Sequence, residues 1–416
     1  MTPGAIFLGR QPILDLKHEL VAYELLFRAS PMPNRAIVTN GAQATATVIT
    51  NAFYELSLGS ALGSYKAYIN TDAEFLLSDA VELLPAAQVV LEILEDVVAT
   101  PDVIQRCLDL RRKGYIFALD DYMGPTEDTA QLLELASIVK FDIKQIDVTA
   151  LYRLTKEIKH FGKKLLAEKV ESKDQVNQCM ELGFELFQGY YFAKPTVLAG
   201  KKINHSRLTL MQLLTQVLDD AETMALEQTF KQEPGLSINL LRLTNSAASG
   251  IRTKITSLRH AITLLGRHQL QRWIQLLLYT DLGGSGPTPL LQLAASRARL
   301  LELLAEQHAP GDKTFADSAF MTGIMSLTPA LLSLPIQEIL AQLSNLPADI
   351  QHALRTREGT LGQLLKLAEA LDGDDTDQVI ALLQQIDGVS PEQLNSCLVK
   401  ALAWANNINR EKPEQD

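Results

Sequence analysis

Between Ala5 and Pro195, short apolar runs alternate with longer amphipathic stretches. The runs read AIFLG, VAYELLF, KAYIN, VVLEILE, YIFALDD, SIVKFDI, KLLAEKV and FELFQGYYF, and segments such as Ala130–Ala136 and Lys173–Leu182 between them carry helical spacing. Repeated strand-then-helix units imply a parallel sheet covered on both faces. Eight such runs predict a closed (β/α)8, TIM-like barrel in preference to an open sheet.

The rhythm breaks at KPTVLAGKKINHS, Lys194–Ser206, where Pro, Gly and three Lys interrupt the pattern. Beyond it, apolar residues recur at helical spacing from Leu208, Met211, Leu214 and Leu218 onward to Leu398, and extended β-branched runs nearly vanish. The second half is therefore expected to be all-helical. The expected division is a barrel over 1–195, a linker over 196–206, a helical domain over 207–407 and a polar, frayed tail over 408–416.

A chain of 416 residues suits two domains, and 47% hydrophobic with 21% charged residues is globular composition. Lys and Arg number 38 against 49 Asp and Glu, a formal charge of −11. Such a surface repels polyphosphate, so no nucleic-acid polymer is expected as a partner. A small anionic ligand stays open where metal ions or local Arg and Lys offset the field. Cys107, Cys179 and Cys397 are too few and too scattered for a disulfide framework or a Cys-based zinc motif. No leader and no apolar run near the roughly 18 residues of a spanning helix is read, so a cytoplasmic protein without membrane contact is expected.

The apolar runs of the first half end on ligand-type side chains: Glu24, Asn70, Glu92, the pair Asp120 and Asp121, Lys140, Glu168 and Gln188. A single Glu after an apolar run is usually a cap or a solvated loop residue. Recurrence at consecutive strand ends is different, because a barrel brings those ends to one mouth. Carboxylates gathered there repel one another unless they take up protons or a cation. An oxygen-rich set lacking His and Cys suits Mg²⁺ or Mn²⁺. Adjacent Asp120 and Asp121 offer what a two-metal site needs, with one carboxylate bridging and its neighbour holding the second ion. Arg28 reads either as a phosphate contact or as a surface arginine.

With these residues in view, RQPILDLKHELVAYELLFR, YIN, LEILED, FALDDY, VKFD, AEKVE and FQGYYFAKP together resemble the EAL domain over about residues 1–200. Active members of that family hydrolyse cyclic di-GMP to linear pGpG. The resemblance implies that Glu24, Asn70, Glu92 and Asp120 bind one Mg²⁺ or Mn²⁺ ion and that Asp120, Asp121 and Glu168 surround a second. It also implies that Lys140 orients the attacking water, that Glu171 and Gln188 support the pocket, and that Gln11 and Arg28 touch the nucleotide. Glu95 would brace the loop after the aspartate pair and couple the metal site to a homodimer formed through the EAL domain.

The sequence departs from the family pattern at three places. Glu-Ala-Leu reads Glu24-Leu25-Leu26, the usual D-D-F-G-T-G reads Asp120-Asp121-Tyr122-Met123-Gly124-Pro125, and Lys169 stands where A-E-G-V-E has glycine. Pro125 fixes a φ angle in a loop the family keeps flexible. A second resemblance, carried by LLRLTNSAASG and ITSLRHAITLLGRHQLQRWI, is to the HDOD domain over about residues 200–405. None of the seven His precedes an Asp, so no metal and no hydrolysis are expected there, and its role would be protein binding. The EAL-then-HDOD order is similar to YuxH-like bacterial signalling proteins, which affect motility, biofilm or attachment. Three readings follow: a metal-dependent cyclic di-GMP phosphodiesterase, a degenerate EAL domain acting as sensor or scaffold, and a hydrolase of another phosphoester.

Overall fold

A computed structural model describes residues 6–29, 58–189, 205–251, 255, 257–280, 289–332, 334–343, 345–373 and 376–408. Eight strands close a barrel in chain order: β1 (Ile6–Asp15), β2 (Leu20–Ala29), β3 (Lys66–Thr71), β4 (Val89–Ile93), β5 (Ile116–Leu119), β6 (Ile138–Asp142), β7 (Lys164–Glu168) and β8 (Leu186–Phe187). The barrel predicted from the apolar runs is present. One feature differs from a purely parallel barrel: β1 runs antiparallel to both β2 and β8. Only residues 16–19 join β1 to β2. That is too short for the crossover a parallel pair requires, and it closes a hairpin instead.

The remaining strands pair in parallel and are separated by helices: α1 (Leu58–Leu62), α2 (Ala73–Leu77), α3 (Pro101–Arg112), α4 (Glu127–Leu135), α5 (Val148–Lys159) and α6 (Lys173–Leu182). Helix starts are written locally. Thr100 accepts from the Val103 N–H ahead of Pro101, and Ser172 with Gln175 and Thr126 with Thr129 form reciprocal capping boxes. Every residue of β4 and β6 is buried, as expected of strands covered on both faces.

Inside the barrel one apolar residue from each strand forms a single cluster: Ile13, Ala22, Tyr68, Val90, Ala118, Ile138, Leu166 and Leu186. Side chains two positions apart share a strand face. Two residues from each of these, toward the same end of the barrel, stand Gln11, Glu24, Asn70, Glu92, Asp120, Lys140, Glu168 and Gln188. The apolar layer is thus the floor beneath a polar one, and the antiparallel β1 contributes Gln11 by counting backward.

After residue 205 the described residues form helices and no β-strand, in agreement with the expected all-helical half. The chain divides into two compact units, one around the barrel and one around the helices, and residues 371–380 cluster with the barrel unit. Against the expectation of no membrane-length apolar segment, Lys313–Leu332 reaches 20 residues at mean hydropathy 1.2. That window is 72% buried within the protein, as in a core helix.

Candidate functional site

The side-chain period of two delivers the polar layer, and the strand ladders fix which residues stand side by side. Asn70 pairs in register with Glu92, Gln11 with Glu24, and Asp142 with Glu168. The Asp120 N–H donates to the Ile93 carbonyl and the Tyr122 N–H to the Lys140 carbonyl, which fixes the end of β5 between β4 and β6.

Lys140 is the centre of this layer, its side chain 1% exposed. Its Nζ lies 2.6 Å from Glu168 Oε1, 2.7 Å from Glu92 Oε1, 2.8 Å from Asp120 Oδ1 and 3.5 Å from Glu24 Oε2. Gln188 Nε2 donates to the same Glu24 Oε2 and to Gln11 Oε1, while Asn70 Nδ2 approaches Glu24 Oε1 at 3.5 Å. The structure therefore brings together Gln11, Glu24, Asn70, Glu92, Asp120, Lys140, Glu168 and Gln188. Asp121 sits beside them at φ +38 but makes no ion pair with Lys140 among the described contacts.

Other residues named from sequence stand farther out. Glu171 is on the rim, where Lys144 Nζ donates to its Oε1 at 2.8 Å, and both side chains are well exposed. Glu95 is exposed on the loop after β4, its charge reaching Asp121. Arg28 lies on β2 opposite Phe7, but its side chain is outside the described residues.

Asp142 ends the run SIVKFD just as the ligand-type residues end theirs, and it stands beside the layer in register with Glu168. It is buried and accepts from the Lys144 N–H at 2.9 Å, Gln145 Nε2 at 2.8 Å and Lys169 Nζ at 2.6 Å.

Four carboxylates, those of Glu24, Glu92, Asp120 and Glu168, thus surround one central ammonium, with the Asp121 carboxylate beside them. Burial pushes Glu92 well above the usual carboxylate range, reinforced by the charges of Glu24 and Asp120 and opposed by Lys140. Burial likewise raises Glu168 to about 8, with Lys140 opposing and Asp120 and Glu24 adding to it. Asp121 is raised by burial and by Asp120, and Lys169 works the other way. Burial alone would lower Lys140, but Glu168, Glu24, Glu92 and Asp120 more than reverse it and hold its pKa well above the usual lysine value.

The donor set fits a hard divalent cation by chemistry and by charge. Asn70 Oδ1, Glu92 Oε2 and Asp121 Oδ1 are buried oxygen acceptors with no hydrogen-bond donor among the described residues. Glu92 Oε1 and Asp120 Oδ1 meet Lys140 as charges at short range but not in hydrogen-bond geometry. Among the described residues no three Asp, Glu, His or Cys side chains already surround one ion-sized point, because the ammonium holds the place where the oxygens converge. A cavity of about 780 Å³ lies elsewhere, at the far end of the barrel among Lys66, Ile116, Ile138 and Lys164, where the strands begin. It contains none of these carboxylates.

Comparison with known proteins returns the same two halves. The EAL domain family model matches residues 68–195 and the HDOD domain model residues 203–357. The chain is 31% identical over 413 residues to the uncharacterized protein YuxH of Bacillus subtilis, covering 97% of this chain and 98% of the relative. It is 30% identical over 408 residues to the cyclic di-GMP phosphodiesterase CdgJ of Vibrio cholerae, covering 97% and 93%. Among solved structures, the Bacillus subtilis YkuI protein, with an EAL domain in complex with cyclic di-GMP and calcium, matches at TM-score 0.37 and 21% identity over 46% of this chain and 55% of that one. Klebsiella pneumoniae BlrP1 in its manganese and cyclic di-GMP complex matches at TM-score 0.38 and 21% identity, over 46% and 56%. The chain spans little more than half the length of these two solved proteins.

Proposed function

This chain belongs to the family of EAL proteins that carry an HDOD domain, and from that premise we propose that its barrel hydrolyses cyclic di-GMP to linear pGpG with two divalent cations. One observation carries the reading: buried carboxylates from β2, β4 and β7, with the aspartate pair after β5, converge in a single layer with far too little positive charge to balance them. A structural core does not collect unbalanced charge, because desolvating each ion costs several kcal/mol.

Two bound divalent cations supply positive charge against the phosphodiester and make water a stronger acid. Glu24, Asn70, Glu92 and Asp120 would hold one, and Asp120, Asp121 and Glu168 the other. Lys140, whose Nζ stands 2.6 Å from Glu168 Oε1, would orient the attacking water. Gln188 keeps Glu24 and Gln11 in register by donating to both, and Gln11 with Arg28 would meet the nucleotide. In the reaction the water oxygen bonds to phosphorus, one P–O3′ bond breaks, and the freed 3′ oxygen takes a proton. Glu95 and the loop after Asp121 are the elements through which dimer formation would act on the site.

The helical domain is a non-catalytic protein-binding module in this reading. Supporting it, none of the seven His precedes Asp, and the buried Glu302 is already bound by two arginines.

The test is to incubate the full-length protein with cyclic di-GMP and Mg²⁺ or Mn²⁺ and to follow pGpG by chromatography. Turnover that stops with a chelator supports the reading. Calorimetric heat of nucleotide binding without product would replace it by a sensor, and neither heat nor product by a scaffold.

A further inference from the structure

Lys169 follows directly on Glu168 at the end of β7, with its backbone in the left-handed region at φ +56. Glycine enters that region freely, whereas a lysine there is strained. The turn carries the side chain back over the neighbouring strand end. Its Nζ lies 2.6 Å from Asp142 Oδ2, and Asp142 stands in register beside Glu168. The Asp142 side chain is 2% exposed, so the contact is anchored at its inner end although the Lys169 stem is 42% exposed.

We infer that Lys169 is a positioning residue that weakens and thereby limits divalent-cation uptake beside Asp121 and Glu168. The inference rests on the metal reading above and concerns a residue that reading leaves unassigned. Lys169 is shown on neither carboxylate. It binds Asp142 instead, which fixes a positive charge at one border of the acidic layer without making it a ligand. The pair lies directly beside Glu168, both along the chain and in register across the sheet, so removing the lysine charge leaves the buried Asp142 carboxylate adding to the negative field there. An incoming dication meets the lysine charge as repulsion. Lys140, by contrast, lies within the layer and contacts four of its carboxylates. The two lysines are therefore not equivalent: one is central and shared, the other peripheral and held in place by Asp142.

The experiment is calorimetric titration of the full-length protein with MnCl₂ in the absence of nucleotide, so that no turnover is needed. Lys169→Met keeps the stem and deletes the charge, and it should bind Mn²⁺ about tenfold more tightly than the unaltered chain. The gap should shrink in high salt, since the stem is partly exposed. Lys169→Arg should restore the original affinity to within about twofold. A loss of packing alone would lower affinity or leave it unchanged and would not respond to Arg.

Equal or weaker binding by Lys169→Met, in protein whose circular dichroism matches the parent, overturns the inference and leaves the metal reading intact. Absence of Mn²⁺ uptake by the unaltered chain and by Lys169→Met alike overturns both. If Lys169→Met does not fold because Asp142 is left under-paired, Asp142→Asn is compared with Asp142→Asn/Lys169→Met. The same tightening is expected in that pair, and its absence is equally decisive.

Discussion

Both halves of this protein bury carboxylates, and they treat them in opposite ways. In the helical half Glu302, on the helix Pro289–His308, receives Arg272 in a two-pronged contact at 2.6 and 2.7 Å and Arg299 at 2.6 Å. Arg272 in turn covers the Phe320 ring at 3.9 Å. Positive and negative charge balance once Asp317, 3.7 Å from Arg272, is counted, and the arrangement needs nothing further. In the barrel mouth, four carboxylates share the ammonium of Lys140 with Asp121 beside them, and acceptors on Glu92, Asp120 and Asp121 find no hydrogen-bond donor among the described residues. The first pattern holds a fold together. The second costs the fold stability and makes sense as a site that another charge completes, as functional sites commonly do.

The largest test of this contrast is Glu24→Ala. It removes a carboxylate from the acidic layer, where Asn70 and Gln188 remain to fill the space, so the protein should fold while pGpG formation falls by about a thousandfold or more. Chromatography of the product measures the loss. Near-normal turnover would show that the acidic layer is not the reacting centre. In the helical half the response should be reversed. Glu302→Ala leaves Arg272 and Arg299 without their carboxylate and should cost about 3–5 kcal/mol in denaturant unfolding. Protein that stays folded should retain turnover, and a loss of turnover without a loss of stability would erase the distinction between the halves.

Acidity provides the next test. In the ion-free protein the folded-state pKa values of Glu92 and Glu168 lie above their unfolded value of 4.5, with Glu168 at about 8. Between those limits the folded state binds more protons than the unfolded one, so stability falls as pH rises, by about 1.4 kcal/mol per unit for each proton involved. The Lys140 shift has the opposite sense, but its stabilising effect is fully present below lysine's ordinary pKa and adds no slope in this window. Thermal melts in chelator between pH 5 and 8 should therefore trend downward. Added Mn²⁺ should reverse the trend, because its ligands must be deprotonated. A flat profile in chelator would mean that the carboxylates are balanced after all.

Much of this contrast is legible in the sequence, because a barrel strand writes its inward face at every second residue. VVLE, IVK and LLAE each set a polar residue two positions past an apolar one, and closure of the barrel does the rest. Three features are not so written. The antiparallel β1 follows from the brevity of the 16–19 connection, which the run of eight apolar segments obscures. Asp142 is hidden by its role, since it ends its run as the ligands do yet spends its oxygens on Lys144, Gln145 and Lys169. The central position of Lys140 among four carboxylates needs distances across the barrel, and spacing along the chain carries none. In the helical half, Glu302 and Arg272 lie on different helices in a sequence rich in such residues, so nothing in the periodicity pairs them.

The smallest expected effect asks whether unsatisfied groups mark function wherever they occur. Gln275, on the helix Leu258–Leu277, is 1% exposed, and both its amide oxygen and nitrogen lack hydrogen-bond partners among the described residues. It is neutral, however, and it lies in the half whose charges are balanced. A buried amide without hydrogen bonds costs roughly 1–3 kcal/mol, and methionine has nearly the same length and flexibility. Gln275→Met should therefore raise the unfolding free energy by about 1 kcal/mol once imperfect packing is allowed for, seen as a higher denaturant midpoint, with pGpG formation unchanged. If it instead destabilises the protein while turnover holds, the amide has structural partners in solution. If it stabilises the protein and turnover falls, the helical half acts on the barrel chemistry, and the division between a completed scaffold and an incomplete site must be redrawn. Charge, more than any lack of hydrogen bonds, is what separates the two halves, because a neutral orphan can be replaced by carbon whereas five clustered carboxylates require a counter-charge.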